Sequence, residues 1–329
     1  MIIVGTAVIS LSLATGLIPV TEGQPSQLEM RFESAGLVPQ DQATQDRRGQ
    51  DRRGRRGRGR GGQRGGQRGG QRRGGGDRSQ DPNPLEPVDA VWIENLTYME
   101  VRDLIKGGKT TAIIPTGGIE PNGPYVVTGK HNVVLEGVCE ALARELGDAL
   151  ITPILKLVPE GSHEPPSGHM RSAGTLSLRQ ETFEAVLTDV GMSLKAHGFT
   201  NIIYIGDSGG NQGGQAKVAA ALNEKWGETI AHHIPEFYDY GSVGRYMETE
   251  LGVVQGESDG FHDSFPITAI MMTVDASSVR YDQRVKAGKA TINGVSIHPK
   301  EAAIEIGKKL VAFRVDATAK AIRAAIAGK

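Results

Sequence analysis

Two apolar stretches decide the fold of this sequence: residues 110–117 read TTAIIPTG, and residues 201–208 read NIIYIGDS. Each is short, apolar on both faces and followed by polar, glycine-rich sequence, as expected for a strand buried within a sheet. Amphipathic helical patterns alternate with them, such as VVLEGVCEALARELG at 133–147, which ends at Gly147. This alternation predicts an α/β fold, a three-layer sandwich with a mostly parallel central sheet and helices on both faces.

The same patterns predict the remaining elements. Strands are predicted at 149–155 and 229–237, and helices at 178–198, 213–226, 263–275 and 299–328. Ser177 and Gln180 have the spacing of a capping box at the start of the first of these helices, and Gly198 ends it. Ser264 is a candidate cap for the third helix, whose first turn accommodates Pro266.

The first 87 residues are unlike the rest. Residues 1–23 open with an uncharged apolar run of 20 residues, which predicts a signal peptide or an N-terminal anchor. A basic leading region and a small-residue cleavage site are missing, so cleavage stays open, and a buried helix is the alternative. We expect an exported protein, periplasmic or secreted, whose membrane contact is limited to this segment. Residues 24–87 are predicted to be a disordered linker, and residues 88–329 to form the α/β domain.

The linker is strongly basic. Between Asp46 and Arg78 there are 13 arginines and 3 aspartates, so the net charge of −1 hides a local excess of +10 and a remainder of about −11. Such Arg-Gly sequence can bind single-stranded nucleic acid, but no aromatic residue is interleaved in it. A solvated tether that touches anionic envelope polymers is therefore favoured over nucleic-acid binding.

The cysteine count excludes two kinds of structure. Cys139 is the only cysteine, so neither an intramolecular disulfide nor a cluster of thiolate ligands can form. A metal ion in this chain would be held by His, Asp, Glu or Asn.

Polar candidates for a site follow the two deciding strands. Ligands of open parallel sheets bind beyond the carboxyl ends of the strands. The loop at 117–132 and the loop at 206–214 both start at such an end, so their side chains should converge. The candidates are Glu120, Asn122, His131, Asp207 and Ser208. Simpler readings are that Asp207 caps a helix, that the second loop cradles a phosphate, and that His131 lies on the surface.

Four ordered motifs resemble the creatininase (creatinine amidohydrolase) family. They read GGIEPNGP, VTGKHN, AGTLSL and GDSGGNQ within residues 113–226, and weaker similarity through DGFHDSF extends to residue 272. The resemblance implies a compact α/β sandwich that is often a homo-oligomer, with a hexamer plausible. It also implies hydrolysis of cyclic or linear amide C–N bonds of small molecules by a pair of divalent ions, usually zinc or manganese.

The family's ligand pattern is altered in this chain. Glu120 retains the first ligand, whereas Asn122 replaces a metal-binding histidine and His131 replaces the aspartate that bridges the two ions. Ser208 replaces the histidine of the turn, directly after Asp207. A neutral imidazole offers one lone pair to one metal, so the paired site should not survive unchanged. Creatinine itself is therefore a doubtful substrate.

We predict a rearranged site with one or two divalent ions per chain. Its ligands are Glu120, His131 and Asp207, a set that suits Zn²⁺, Mn²⁺ or Fe²⁺. The supporting residues are Asn122, Ser208 and Asn211.

The predicted chemistry is hydrolytic, through a water activated by the metal at Glu120. His262 matches a family histidine near the substrate and is predicted to deliver a proton, while a nearby family glutamate is replaced by Ile267. Arg171 and His169, in the polar loop at 161–171, are candidate substrate contacts. The alternative is a non-catalytic, ligand-binding descendant of the fold in the cell envelope.

Overall fold

The computed structural model describes residues 80–328, and the predictions for residues 1–79 lie outside that range. Its centre is a sheet of four parallel strands in the order β2-β1-β3-β4. The strands are β1 (Thr111–Thr116), β2 (Ala149–Ile151), β3 (Asn201–Gly206) and β4 (Ala231–His233). Every residue of β1 and β3 is buried, as their continuous apolar character predicts. The predicted parallel sheet is thus confirmed.

Eight helices surround the sheet in the described part of the chain. They are α1 (Tyr98–Lys106), α2 (Lys130–Leu146), α3 (Gln180–Ala196), α4 (Gly209–Trp226), α5 (Tyr240–Thr249), α6 (Phe265–Val274), α7 (Tyr281–Lys286) and α8 (Lys300–Ala327). A two-stranded antiparallel ribbon, β5 (Thr291–Ile292) and β6 (Val295–Ser296), precedes α8. No helix among these residues is both long and apolar enough to cross a bilayer.

Alternate residues of the central strands pack into two different cores. Ile113 of β1 belongs to a core that includes buried residues of α2, α6 and α8. Its neighbours Ala112 and Ile114 belong to a second core, shared with α3 and α4. Because successive side chains of a strand point to opposite faces, this division defines three layers, helices–sheet–helices. The predicted sandwich is confirmed.

Two predicted strands are shorter in the structure than in the sequence pattern. The strand expected at 149–155 ends at Ile151, and the one expected at 229–237 ends at His233. A proline follows each strand end, Pro153 after β2 and Pro235 after β4, and both strands lie at edges of the sheet, where proline is tolerated. The chain stays bonded to the sheet near each proline, since Leu155 pairs with Thr116 of β1 and the N–H of Ile234 donates to the carbonyl of Tyr204 (3.1 Å).

The observed starts of the helices differ more from the sequence predictions than the observed ends do. The predicted capping box of Ser177 is wrong, because its hydroxyl bonds to the N–H of Glu160 (2.9 Å) and the carbonyl of Gly161 (2.8 Å) instead. Ser264 occupies the N-cap of α6 but makes no side-chain capping bond, whereas Pro266 lies in the first turn as expected. Helix α4 begins at Gly209, four residues before the predicted start at 213.

Candidate active site

The loops after β1 and β3 meet at one edge of the sheet. The two strands are hydrogen-bonded neighbours in register, with Thr116 opposite Gly206. Asp207 therefore emerges directly beside the loop that carries Glu120, and His131 reaches the same place from the first turn of α2. All three side chains are buried, with 2 % of Glu120, 5 % of His131 and 0 % of Asp207 exposed.

His131 connects the two carboxylates. Its Nε2 lies 2.9 Å from Oε1 of Glu120, and its Nδ1 lies 2.8 Å from Oδ2 of Asp207. Burial alone would lower the pKa of His131, but its hydrogen bonds to Asp207 and Glu120 raise that pKa to about 9. The imidazole therefore bridges the carboxylates as a cation in the metal-free protein, and both of its nitrogens are occupied.

The other oxygen of Asp207 is hydrogen-bonded to residues from α5 and α8. Its Oδ1 accepts hydrogen bonds from Arg314 (2.8 Å) and from the hydroxyl of Tyr240 (2.8 Å). Arg314 also donates to the carbonyl of Phe237 (2.7 Å) and is only 3 % exposed. Burial would raise the pKa of Asp207, but the Arg314 guanidinium and His131 outweigh it and hold that pKa below its ordinary value.

Two more histidines lie beside the carboxylate of Glu120, one next to each oxygen. Nε2 of His169 lies 3.4 Å from Oε2, and Nδ1 of His262 lies 3.4 Å from Oε1. The two imidazole rings are stacked, with centroids 5.0 Å apart. One donor atom from each of these three residues lies within 4.8 Å of the other two, which is the spacing of a potential metal site.

A lysine shares this carboxylate. Nζ of Lys130 lies 3.0 Å from Oε1 of Glu120 and donates to the carbonyl of His262 (3.3 Å). Burial would raise the pKa of Glu120, but His131 and then Lys130 outweigh it and hold that pKa far below its ordinary range. The lysine side chain is 2 % exposed, so it is an integral part of the site.

Glu160 is a further buried carboxyl group that sequence reasoning missed. It is 6 % exposed, and its Oε1 has no hydrogen-bond partner among the described residues. Burial, and then the charge of Glu120, raises its pKa to about 8. A Cβ atom at Gly118 would collide with this oxygen, so the glycine makes room for the carboxyl group. The sequence gives little signal, because Glu160 lies in a polar loop outside the recognised motifs.

These side chains line one cavity of about 450 Å³. Its walls are formed by Glu120, Lys130, His131, Pro159, Glu160, Gly161, His169, Ser208, Gly209, Gly210, Tyr238, Tyr240, His262 and Ile267. The first turn of α4 faces into it through Ser208, Gly209 and Gly210, because that helix starts earlier than its sequence pattern indicates.

The predicted supporting residues hold the loops. Asn122 donates to the carbonyls of Glu120 (3.2 Å) and Val127 (3.0 Å) and does not line the cavity. Asn211 donates to Oγ1 of Thr116 (2.8 Å) and so ties α4 to the end of β1. Arg171 is exposed and lies outside the cavity wall.

The structure brings Glu120, His131 and Asp207 together as a chain of two ion pairs, Glu120–His131 and His131–Asp207. Both nitrogens of His131 and both oxygens of Asp207 already have protein partners. The ligand role of His131 and Asp207 stays a prediction, and in this arrangement it would require these contacts to be exchanged for the ion. The open donor set consists of Glu120 with His169, predicted as a substrate contact, and His262, predicted as a proton donor.

The family model for creatininase, described as creatinine amidohydrolase, matches residues 94–322, well over half of the chain. This chain belongs to the creatininase family. The family and the fold support a metal-dependent, amidohydrolase-like function. No curated protein sequence matches this creatininase-family chain.

Solved creatininases share the fold at low sequence identity. A structure named as creatininase with Mn is 19 % identical, with a TM-score of 0.54 over 71 % of this chain and 98 % of that one. A glutamate-to-glutamine variant described as Zn-Zn type is 19 % identical, with a TM-score of 0.52 over 72 % and 98 %. The same kind of variant in complex with creatine is 18 % identical, with a TM-score of 0.52 over 71 % and 98 %.

Proposed function

We propose that this chain hydrolyses an amide or cyclic-amide C–N bond of a small molecule with one divalent metal ion. The observation that carries the proposal is the convergence of Glu120, His169 and His262 on the wall of the cavity, with donor atoms within 4.8 Å of one another. A carboxylate with two imidazoles suits Zn²⁺, Mn²⁺ or Fe²⁺. The cavity has the size of a site for a small molecule.

The donor set fits one ion and does not fit a pair. The position of the bridging carboxylate is taken by His131, whose two nitrogens are engaged by Glu120 and Asp207. The side-chain amide nitrogen of Asn122 donates hydrogen bonds to two backbone carbonyls. By contrast, the nitrogens of His169 and His262 lie beside Glu120 at 3.4 Å, close enough to share an ion after small rotations. The proposal therefore differs from the Zn-Zn arrangement named for a related structure.

A divalent ion bound here would polarise a carbonyl group and activate a water molecule. The protein supplies the remaining functions. His131 fixes the orientation of Glu120, because it is itself fixed by Asp207. Glu160 presents a carboxyl oxygen without a hydrogen-bond partner among the described residues, which can hold or accept a proton at the cavity wall. The first turn of α4 favours negative charge that develops near Ser208.

Metal titration tests the proposal. Isothermal titration of the purified, metal-free protein with Zn²⁺ and Mn²⁺ should give one equivalent in the parent. Glu120→Gln and His169→Asn should each weaken binding by about tenfold or more, because each removes one of three ligands. His163→Asn is the matched control, since His163 is exposed and bonded to the carbonyl of Ser177 (3.1 Å) away from the cavity.

Activity is tested with the same variants. A panel of small linear and cyclic amides is incubated with the metal-loaded parent, and release of the amine or carboxylate is followed. Hydrolysis that depends on added metal and is lost in Glu120→Gln would support the proposal. Tight binding that is unchanged in both ligand variants, or the absence of any metal binding, would refute it.

A second candidate function is binding without catalysis. The observation that favours it is the buried ion pair between Lys130 and Glu120, which neutralises the central carboxylate without a metal ion. In that case small amides should raise the thermal midpoint of the metal-free protein, and no hydrolysis should follow on adding metal.

A further inference from the structure

Lys130 occupies an unfavourable place for an ammonium group. It is the first residue of α2, where the helix dipole is positive, and only 2 % of its side chain is exposed. Burial of a charge is costly unless close partners compensate for it. A lysine used only for helix stability would lie near the carboxyl end of a helix or in solvent, so its position calls for a role in the cavity.

Two oxygen atoms of the described residues lie next to the ammonium group of Lys130. Its Nζ contacts one carboxylate oxygen, Oε1 of Glu120 at 3.0 Å, and one carbonyl, that of His262 at 3.3 Å. The same carboxylate oxygen is also 2.9 Å from Nε2 of His131. One oxygen of Glu120 thus lies next to two cationic side chains of the protein. Lys130 also forms part of the cavity wall.

Two cations beside one shared carboxylate is also the charge arrangement of a two-metal site. Here the second positive charge belongs to the chain. We infer that the ammonium group of Lys130 supplies the charge of a second metal ion, so that the cavity accepts one divalent ion and no more. This inference rests on the proposed single-ion site, because it assigns Lys130 a role beside that ion.

The physical consequence is competition for Glu120. A lysine charge near a divalent ion repels it, and at these separations the repulsion is large even with strong screening. Lys130→Met removes the charge and keeps a side chain of similar length, whereas Lys130→Arg keeps the charge. Lys156→Met is the matched control, since that lysine is 53 % exposed and pairs with Glu136 on the surface.

The test is isothermal titration with Zn²⁺ of the full-length parent and the three variants. We expect one equivalent in the parent, in Lys130→Arg and in Lys156→Met. Lys130→Met should bind its first equivalent about tenfold or more tightly than the parent. Circular dichroism and the thermal midpoint establish that each variant is folded, and the stoichiometry of the parent alone tests the inference if Lys130→Met does not fold.

The outcomes separate this inference from the proposed function. Two equivalents in the parent, or equal affinities in Lys130→Met and Lys130→Arg, would overturn the role of Lys130 and leave a metal-dependent site. No binding in the parent together with binding in Lys130→Met would overturn both the proposed single-ion function and this inference, because Lys130 would then exclude the first ion. No binding in any of the proteins would overturn both.

Discussion

Nδ1 of His131 and Oδ2 of Asp207 lie 2.8 Å apart, although 76 residues separate them in the chain. This contact joins the start of α2 to the end of β3 across the cavity edge of the sheet. It continues on one side to Glu120 and on the other to Arg314. The position of the candidate metal ligand is therefore determined by a line of charges that crosses the domain.

Loss of the Asp207 charge should destabilise the domain. In Asp207→Asn, Arg314 and His131 each lose an ionic partner while they remain buried. Removal of one partner of a buried ion pair typically lowers the free energy of unfolding by about 3–5 kcal/mol. Urea denaturation measures this change. Asp316→Asn breaks only an exposed pair with Lys320 and should change stability by less than about 0.5 kcal/mol. Equal effects of the two variants would contradict the buried chain of charges.

The metal-free protein should become less stable as the pH rises from 6.5 to about 9. His131 has a folded-state pKa of about 9 against an ordinary value of 6.5, so in this window the folded state binds more protons than the unfolded state. The stabilisation is complete below pH 6.5 and is lost as the pH rises through 9, with a total on the order of 3 kcal/mol.

Urea denaturation at several pH values gives the required comparison. His131→Gln should remove this pH dependence. Glu160 also makes the free energy of unfolding fall with rising pH, between its ordinary pKa of 4.5 and its folded value of about 8. This contribution should remain in the variant. The charged groups that contact His131 are Glu120 and Asp207, and Lys130 contacts the same oxygen of Glu120. A parent and a variant with the same pH dependence would show that His131 is not protonated in the fold.

Zinc should stabilise the folded protein. An ion that binds only the folded state adds about 2.7 kcal/mol to the free energy of unfolding when its concentration is 100 times its Kd. Differential scanning fluorimetry should therefore show a higher thermal midpoint for the parent in Zn²⁺ and a smaller shift for His262→Asn, which removes one donor. If His163→Asn lost the shift as well, nonspecific binding to surface histidines would explain it.

Two adjacent glycines in α4 should respond in opposite ways. A Cβ at Gly213 would meet no atom within 4 Å, so Gly213→Ala should stabilise the helix by about 0.5–1 kcal/mol. A Cβ at Gly214 would lie 2.8 Å from Cε1 of Phe183, and Gly214→Ala should destabilise the domain by about 1–3 kcal/mol. Thermal denaturation compares the two. The same sign for both variants would contradict the packing of α4 against α3.

The sequence predicted the layers of the fold well because its two central strands are apolar on both faces. Ile113 and Ile114 of β1 show this, since they are buried in the two different cores on opposite faces of the sheet. It predicted the ends of elements less well, since hydrophobic periodicity reports burial and does not report hydrogen bonding. Pro153 illustrates the difference: the regular strand ends before it, at Ile151, and the chain beyond it pairs with β1 again through Leu155 opposite Thr116.

The site was only partly predictable for the same reason. Glu120 and Asp207 could be predicted because they follow the carboxyl ends of two strands. In a parallel sheet the loops at these ends lie close together. Arg314 could not be identified as their partner, since a single arginine within an amphipathic helix normally lies in solvent. Its place on the same face as the buried Leu310 was a signal, but its meaning required the packing of α8 against the sheet.

The contact between Arg314 and Asp207 also has a consequence for the order of events during synthesis. A ribosome makes Glu120, His131 and Asp207 well before Arg314, which lies 107 residues after Asp207. Until α8 is made and docks, burial of the Asp207 carboxylate lacks its main compensating charge. We therefore expect the strands and early helices to collapse first during translation, with the cavity as the last part of the domain to mature.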